Sequence, residues 1–179
     1  MNATYFLIST LFNLYLMVVL LRLWLQMTRA DFYNPLSQVV VKATHPVVGP
    51  LRRVIPSIGA FDTATFLFAL IVSSLKLLTI GLLFGSNLNP LAIVISAFFD
   101  VIRQGFELVF WVLILRAILS WVSQGSNPIE YVLMQLTEPM LRPIRKIIPP
   151  MGGLDLSILI AIIGLQFISI LLGDMFGRF

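Results

Sequence analysis

Long apolar runs alternate along the chain with shorter mixed stretches, and the runs have the length that a bilayer requires. Thr4 to Met27, Thr63 to Phe84, Phe106 to Val122 and Ser157 to Phe176 each read as a transmembrane helix, the third being the shortest. The run Leu91 to Phe99, followed by Asp100 and Arg103, fits either an interfacial element or an extension of the third span into one long tilted helix. Asn89-Pro90 is a helix-start signal and favours the extension.

Between the first and second runs, and again between the third and fourth, the hydrophobic period changes. Asn34 can cap a helix with Pro35 in its first position, running to about Ala43, and Asn127-Pro128 does the same for a segment ending near Leu136. A second segment follows Pro46, with Val47, Val48, Leu51, Val54 and Ile55 on one helical face; its twin places Met140, Leu141, Ile144, Ile147 and Ile148 there. The prolines thus predict two short amphipathic helices per connection, lying in the headgroup region with their apolar faces inserted.

The two connections are copies. Eleven of the twenty-nine positions between Asn34 and Asp62 recur 93 residues later, among them Pro46, Pro50, Arg52, Pro56, Gly59 and Asp62 as Pro139, Pro143, Arg145, Pro149, Gly152 and Asp155. Leu21-Arg22 recurs as Leu115-Arg116 at an offset of 94. The chain divides into a first repeat over 1–86, a linker or helix extension over 87–105, and a second repeat over 106–179. Each repeat is span, amphipathic loop, span, so the expected fold is an all-α membrane protein of four transmembrane helices arranged as two parallel repeats.

Composition agrees: 59% of residues are hydrophobic and 11% charged, with a mean hydropathy of +0.98. The absence of cysteine and the single histidine, His45, exclude thiolate chemistry, disulfides, iron–sulfur ligation and Cys/His zinc sites. His45 precedes a proline and reads as a loop residue. Phosphate-binding glycine loops, paired catalytic carboxylates and nucleophile elbows are missing, so no enzyme, metal or cofactor is expected. Arg29, Lys42, Arg52 and Arg53 fall in one connection, and Arg142, Arg145 and Lys146 in the other. That bias places both loops in the cytoplasm and both termini in the periplasm of a bacterial inner membrane. It also suits anionic lipid better than nucleic acid, with which no contact is expected.

The doubled pattern of Asn-Pro, then Pro-x-x-x-Pro-hydrophobic-Arg-basic-hydrophobic-hydrophobic-Pro, then Gly-x-x-Asp, resembles the YggT (YlmG) family of small bacterial and plastid membrane proteins. The resemblance covers nearly the whole chain. It implies no reaction. Bacterial relatives are associated with osmotic tolerance and potassium balance, and others with cell or plastid division, nucleoid distribution and haem attachment to a cytochrome b.

Several residues are candidates for function. Arg52, Arg53, Arg142, Arg145 and Lys146 form either a docking surface for anionic lipid or a protein partner, or a topological signal alone. Asp62 and Asp155 are either ion ligands or proton carriers, or caps of the second and fourth spans, and capping is the expected role. Arg22 and Arg116 either snorkel to headgroups or pair with an aspartate. Lys76 and Glu107 lie inside spans at matching depth and are expected to pair with each other. Trp24, Trp111 and Trp121 suit interfacial anchoring or lipid-facing packing. The functional expectation is a non-enzymatic membrane scaffold or assembly factor tied to envelope or osmotic homeostasis, with a membrane-protein partner or a second copy. The alternative is a small channel or transport subunit, affecting potassium uptake, with Asn13, Lys76, Glu107 and Gln166 along its route.

Overall fold

The computed structural model describes residues 2–85, 89–122, 127–148 and 155–176. They form six helices: α1 (Ala3–Met27), α2 (Pro35–Val54), α3 (Thr63–Phe84), α4 (Pro90–Val122), α5 (Pro128–Ile147) and α6 (Leu156–Phe176). Among the described residues there is no strand beyond one isolated bridge. Three helices, α1, α3 and α6, are long and apolar enough to cross a membrane. At 33 residues α4 is longer still, and it carries Asp100, Arg103, Glu107 and Arg116.

Three helices begin at Asn-Pro, and each start has the same cause. The Asn34, Asn89 and Asn127 side-chain oxygens accept the backbone N–H two residues on, at 3.0, 3.0 and 2.9 Å, while the proline occupies a position whose N–H has no helical partner. The expected extension of the third apolar run is therefore correct: one helix runs from Pro90 to Val122.

The division of each connection into two short helices is not. Both α2 and α5 continue through two internal prolines, Pro46 and Pro50 in one, Pro139 and Pro143 in the other. A proline inside a helix frees the carbonyl four residues earlier. Here all four prolines lie on the exposed side, where water can satisfy the freed groups, so the helix carries on. His45 accordingly sits on an exposed turn of α2 rather than in a loop.

The apolar faces of α2 and α5 point into the protein. Val40 and Val48 of α2, with Val132, Leu133 and Leu136 of α5, share one core with Leu16, Val19 and Leu23 of α1 and Phe68 and Val72 of α3. Leu141 joins a second core with Leu113 of α4 and Ile158 and Leu165 of α6. Of the faces expected to insert into lipid, Val48 and Leu141 are therefore internal, while Val47, Val54 and Ile147 are exposed. The two amphipathic helices also touch: the Asn34 amide donates to the Pro128 carbonyl at 2.6 Å, and Gln135 accepts from the Asp31 N–H at 2.9 Å. Long α4 packs against α1, α3, α5 and α6.

Asn34 thus caps α2 and fastens it to α5, whereas among the described residues Asn127 only caps. Asn34→Ala should cost more than the roughly 1 kcal/mol typical of a lost cap, and Asn127→Ala about that amount. Thermal unfolding of the two variants in detergent measures the difference, and equal losses would show that the Asn34 to Pro128 bond contributes nothing.

Candidate functional site

The repeated motif builds the same device twice. After α2, Pro56 follows the end of the helix, and Gly59, at φ +61°, allows a tight reversal closed by mutual backbone hydrogen bonds of 3.0 Å between Ile58 and Phe61. The reversal returns Asp62, wholly buried, to Arg52 of the preceding helix. The Arg52 guanidinium donates to Asp62 Oδ2 from Nε at 3.0 Å and again from Nη2. In the second half Arg145 donates to Asp155 Oδ2 from Nε at 3.1 Å and Nη2 at 2.6 Å. Residues 149–154, including the second-half Pro149 and Gly152, lie outside the described residues.

Behind each lock stands a buried arginine from the preceding long helix. Arg22 donates to Thr44 Oγ1 at 2.7 Å, and Thr44 in turn donates to the Val40 carbonyl at 2.7 Å. Arg116 donates to Thr137 Oγ1, which donates to the Leu133 carbonyl at 2.7 Å. Neither arginine snorkels and neither is ion-paired to an aspartate: they tie the long helix to the amphipathic one. Thr44 and Thr137 went unnoticed in the sequence, although they too recur at the offset of 93.

The two locks differ in charge. At the position of His45, the second half has Glu138. Its carboxylate accepts from Arg145 at 2.9 and 3.1 Å and lies 3.5 Å from Arg116. Arg52 instead reaches the Gln26 amide oxygen. Burial tends to raise both aspartates, yet hydrogen bonds from Arg52 and Thr65 hold Asp62 below its ordinary value of 3.8, and those from Ser157 and Arg145 do the same for Asp155. Burial tends to lower Arg145, but Asp155 and Glu138 together raise it.

The sequence-predicted residues now separate. Arg52 and Arg145 are each ion-paired to an aspartate of the protein, Arg145 partly buried and Arg52 still exposed. Arg53, Arg142 and Lys146 are exposed, and none makes an ion pair among the described residues. Asp155 both locks and caps, since its Oδ1 accepts the Ser157 N–H at 3.1 Å. Asp62 occupies the cap position of α3 but makes no side-chain cap; Arg52 and the Thr65 hydroxyl take its carboxylate.

A second polar cluster lies between the long helices. Lys76, buried, donates to Asp100 at 2.6 and 2.7 Å and to Asn13 Oδ1 at 2.8 Å, and Ser73 donates to Asp100 at 2.6 Å. The partner of Lys76 is therefore Asp100, not Glu107. The extension of α4 from Pro90 carries Asp100 down beside α3, and Glu107 is two turns further along the same helix. There it lines a separate cavity of about 220 Å³ with Gln166 and Ser169. At the offsets of 94 and 93, Asn13, Ser73 and Lys76 correspond to Glu107, Gln166 and Ser169, so the two polar clusters occupy matching positions. Trp24 is half-buried against the core and Trp111 is exposed; the Trp121 side chain lies outside the described residues.

Long apolar helices with buried arginine locks and interhelical ion pairs define an all-helical membrane protein. Its family follows from comparison. The profile of the CCB3/YggT family matches residues 1–83 and 95–176, and the chain belongs to that family. It is 50% identical over 169 residues to "Uncharacterized protein YggT" of Escherichia coli K12, covering 94% of this chain and 88% of the relative. It is 58% identical over 179 residues to "Uncharacterized protein in proC 3'region" of Vibrio alginolyticus, covering 99% and 97%. A Pseudomonas aeruginosa relative, "Uncharacterized protein PA0392", is 41% identical over 173 residues, covering 95% and 88%. No solved structure matches the chain.

Replacing Asp62 by alanine leaves Arg52 with only Gln26 and should cost about 3 kcal/mol, at the low end for a broken buried pair because Arg52 is half-exposed. Asp155→Ala leaves Arg145 with Glu138 and should cost less. Chemical denaturation of both variants ranks them; an equal or reversed order would mean that Glu138 does not compensate.

The same locks set an acid limit. Because both folded aspartate values are depressed, their stabilisation is complete above the ordinary value of 3.8 and is lost as pH falls through the lower folded values. Melting temperature should therefore vary little, on their account, from neutral pH down to about pH 5 and fall below pH 4. In Asp62→Asn/Asp155→Asn the acid decline should be shallower; an unchanged decline assigns it to other carboxylates.

Proposed function

We propose that the protein is a non-enzymatic scaffold or assembly factor of the bacterial inner membrane. In this reading α1, α3, α4 and α6 are four spans, two parallel repeats place α2 and α5 in the cytoplasm, and both termini are periplasmic. The long α4 supplies both the linker region and the third span. The cost of its crossing is lowered because Asp100 meets Lys76 and Arg116 meets Thr137 and Glu138. The occupants of the cytoplasmic face would be anionic lipid together with a membrane-protein partner or a second copy, in the service of envelope or osmotic homeostasis.

One observation supports the reading: each lock pairs one basic residue with an aspartate and leaves its neighbour exposed, with no ion pair among the described residues. Arg53 and Lys146 stand at equivalent positions next to Arg52 and Arg145, exposed, on helices that are fastened to the core and to each other. Cations carried on fastened helices are suited to docking acidic groups, because the backbone that presents them needs no ordering on binding.

A second reading, a transport subunit, is favoured by a different feature. A cavity of about 760 Å³ opens between α1, α3 and α4 around the Lys76 and Asp100 pair. Intramembrane ionisable groups beside cavities often mark pathways. Conductance or solute flux through liposomes containing the purified protein tests it.

For the scaffold, Arg53→Gln/Arg142→Gln/Lys146→Gln should keep normal abundance and melting temperature while losing the dominant partner crosslink formed in native membranes. Arg52→Gln/Arg145→Gln should instead lower abundance, because it opens both locks. If the triple variant retains every wild-type crosslink, those three cations are topological signals only.

A further inference from the structure

Compared donor by donor, the two lock regions differ by one carboxylate. Three hydrogen bonds recur in each: Arg52 and Arg145 give Nε and Nη2 to their aspartate, and Arg22 and Arg116 give Nη1 to their threonine. The remaining Nη donors do not match. Arg145 Nη1 donates to both oxygens of Glu138, at 3.1 and 2.9 Å, and Arg116 Nη2 reaches Glu138 Oε2 at 3.5 Å. Their counterparts, Arg52 Nη1 and Arg22 Nη2, have no acceptor among the described residues.

His45, at the position of Glu138, does not replace it. Its ring lies over Gly49, where an added Cβ would stand 3.2 Å from it, and it makes no hydrogen bond among the described residues. An imidazole supplies no negative charge in either protonation state. Arg116 lies within electrostatic reach of Arg145, Asp155 and Glu138, and that region is neutral. Arg22 lies within reach of Arg52 and Asp62, which leaves one positive charge. Gln26, the other acceptor on Arg52, is neutral. Arg22 is only 3% exposed, and an unpaired guanidinium so enclosed is costly. Arg52 is exposed, which gives the pair a side open to the surface.

We propose that the first lock region holds an external phosphate group across Arg22 Nη2 and Arg52 Nη1, in the place that the Glu138 carboxylate fills in the second. Guanidinium groups take carboxylate and phosphate oxygens with the same geometry. Arg22 stands five residues, about 8 Å, before the end of an apolar helix of membrane length, so a lipid headgroup is the nearer source and free phosphate the other. The site follows from the arginine geometry alone; its assignment to lipid rests on the proposed membrane topology.

Purified full-length protein in a neutral detergent is titrated with phosphatidylglycerol, with diacylglycerol of the same chains, or with inorganic phosphate. Melting temperature is followed, and for the lipids the adducts retained in native mass spectrometry. Phosphatidylglycerol should stabilise the wild type and remain bound, and diacylglycerol should not. His45→Glu, which supplies the carboxylate from the chain itself, should weaken phosphatidylglycerol binding at least about tenfold. Lys42→Gln, at an exposed position, changes the net charge equally and should stay within about threefold of the wild type. The reciprocal Glu138→Gln frees the matching donors of Arg116 and Arg145 and should add a second retained lipid; it decides alone if His45→Glu does not fold. Inorganic phosphate that stabilises the wild type as well as phosphatidylglycerol does, but not His45→Glu, would keep the site and assign it to a soluble ligand. Unaltered phosphatidylglycerol binding in folded His45→Glu, an equal loss in Lys42→Gln, no added lipid in folded Glu138→Gln, or diacylglycerol bound as tightly as phosphatidylglycerol overturns the proposal.

Discussion

A carboxylate at the foot of one apolar helix gripped by an arginine on the helix before it is the contact on which this architecture depends. An amphipathic helix between two membrane-length helices has no reason of its own to keep one orientation, because its termini are loops and its apolar stripe is narrow. Arg52 with Asp62, and Arg145 with Asp155, close each ten-residue return and fix where α3 and α6 begin. Arg22 and Arg116 then fix the same amphipathic helices from the other side through Thr44 and Thr137. With both ends held, Val48 and Leu141 are buried completely. Hydrophobic packing supplies most of the attraction, and the locks determine which packing is adopted.

Repetition of the frame has not meant repetition of the chemistry. His45 and Glu138 occupy one equivalent position, so the first lock region holds Arg22 and Arg52 against one carboxylate, and the second holds Arg116 and Arg145 against two. Asn13 and Glu107 occupy another, as do Lys76 and Ser169. The first interhelical cluster is closed by Asp100 of α4, which at the offset of 94 stands where α1 has the apolar Phe6. One substituted position in the repeated frame thus accompanies a large charged cleft in the first half, whereas the matching cavity of the second has less than a third of its volume.

Much of this was legible in the sequence because it is local. Asn34-Pro35, Asn89-Pro90 and Asn127-Pro128 announce helix starts whose physics lies within three residues, and apolar run length announces α1, α3 and α6. The prolines misled because the cost of an internal proline depends on whether the freed carbonyl is exposed, which a linear reading does not contain. Arg52 and Asp62 were both noticed, as a surface charge and a cap; that they were one pair was hidden by a turn that depends on Gly59 at positive φ. Matching Lys76 to Glu107 by depth failed for a similar reason. Axial depth along one helix says nothing about azimuth, and Asp100 was closer across the packed faces.

The locks also change what a count of basic residues means. Seven lie in the two connections, but Arg52 and Arg145 are neutralised internally, leaving Arg29, Lys42, Arg53, Arg142 and Lys146 exposed. Each basic residue near an anionic surface contributes about 1 kcal/mol, so the exposed set is worth at most about 5 kcal/mol and is sensitive to salt. That is modest beside the hydrocarbon burial of three apolar helices. Attraction to lipid is thus not what keeps the chain in a membrane. In the proposed topology its consequence is orientation of the surface that α2 and α5 present, and Arg53 and Lys146 are the exposed charges whose backbone positions lie next to the locked arginines.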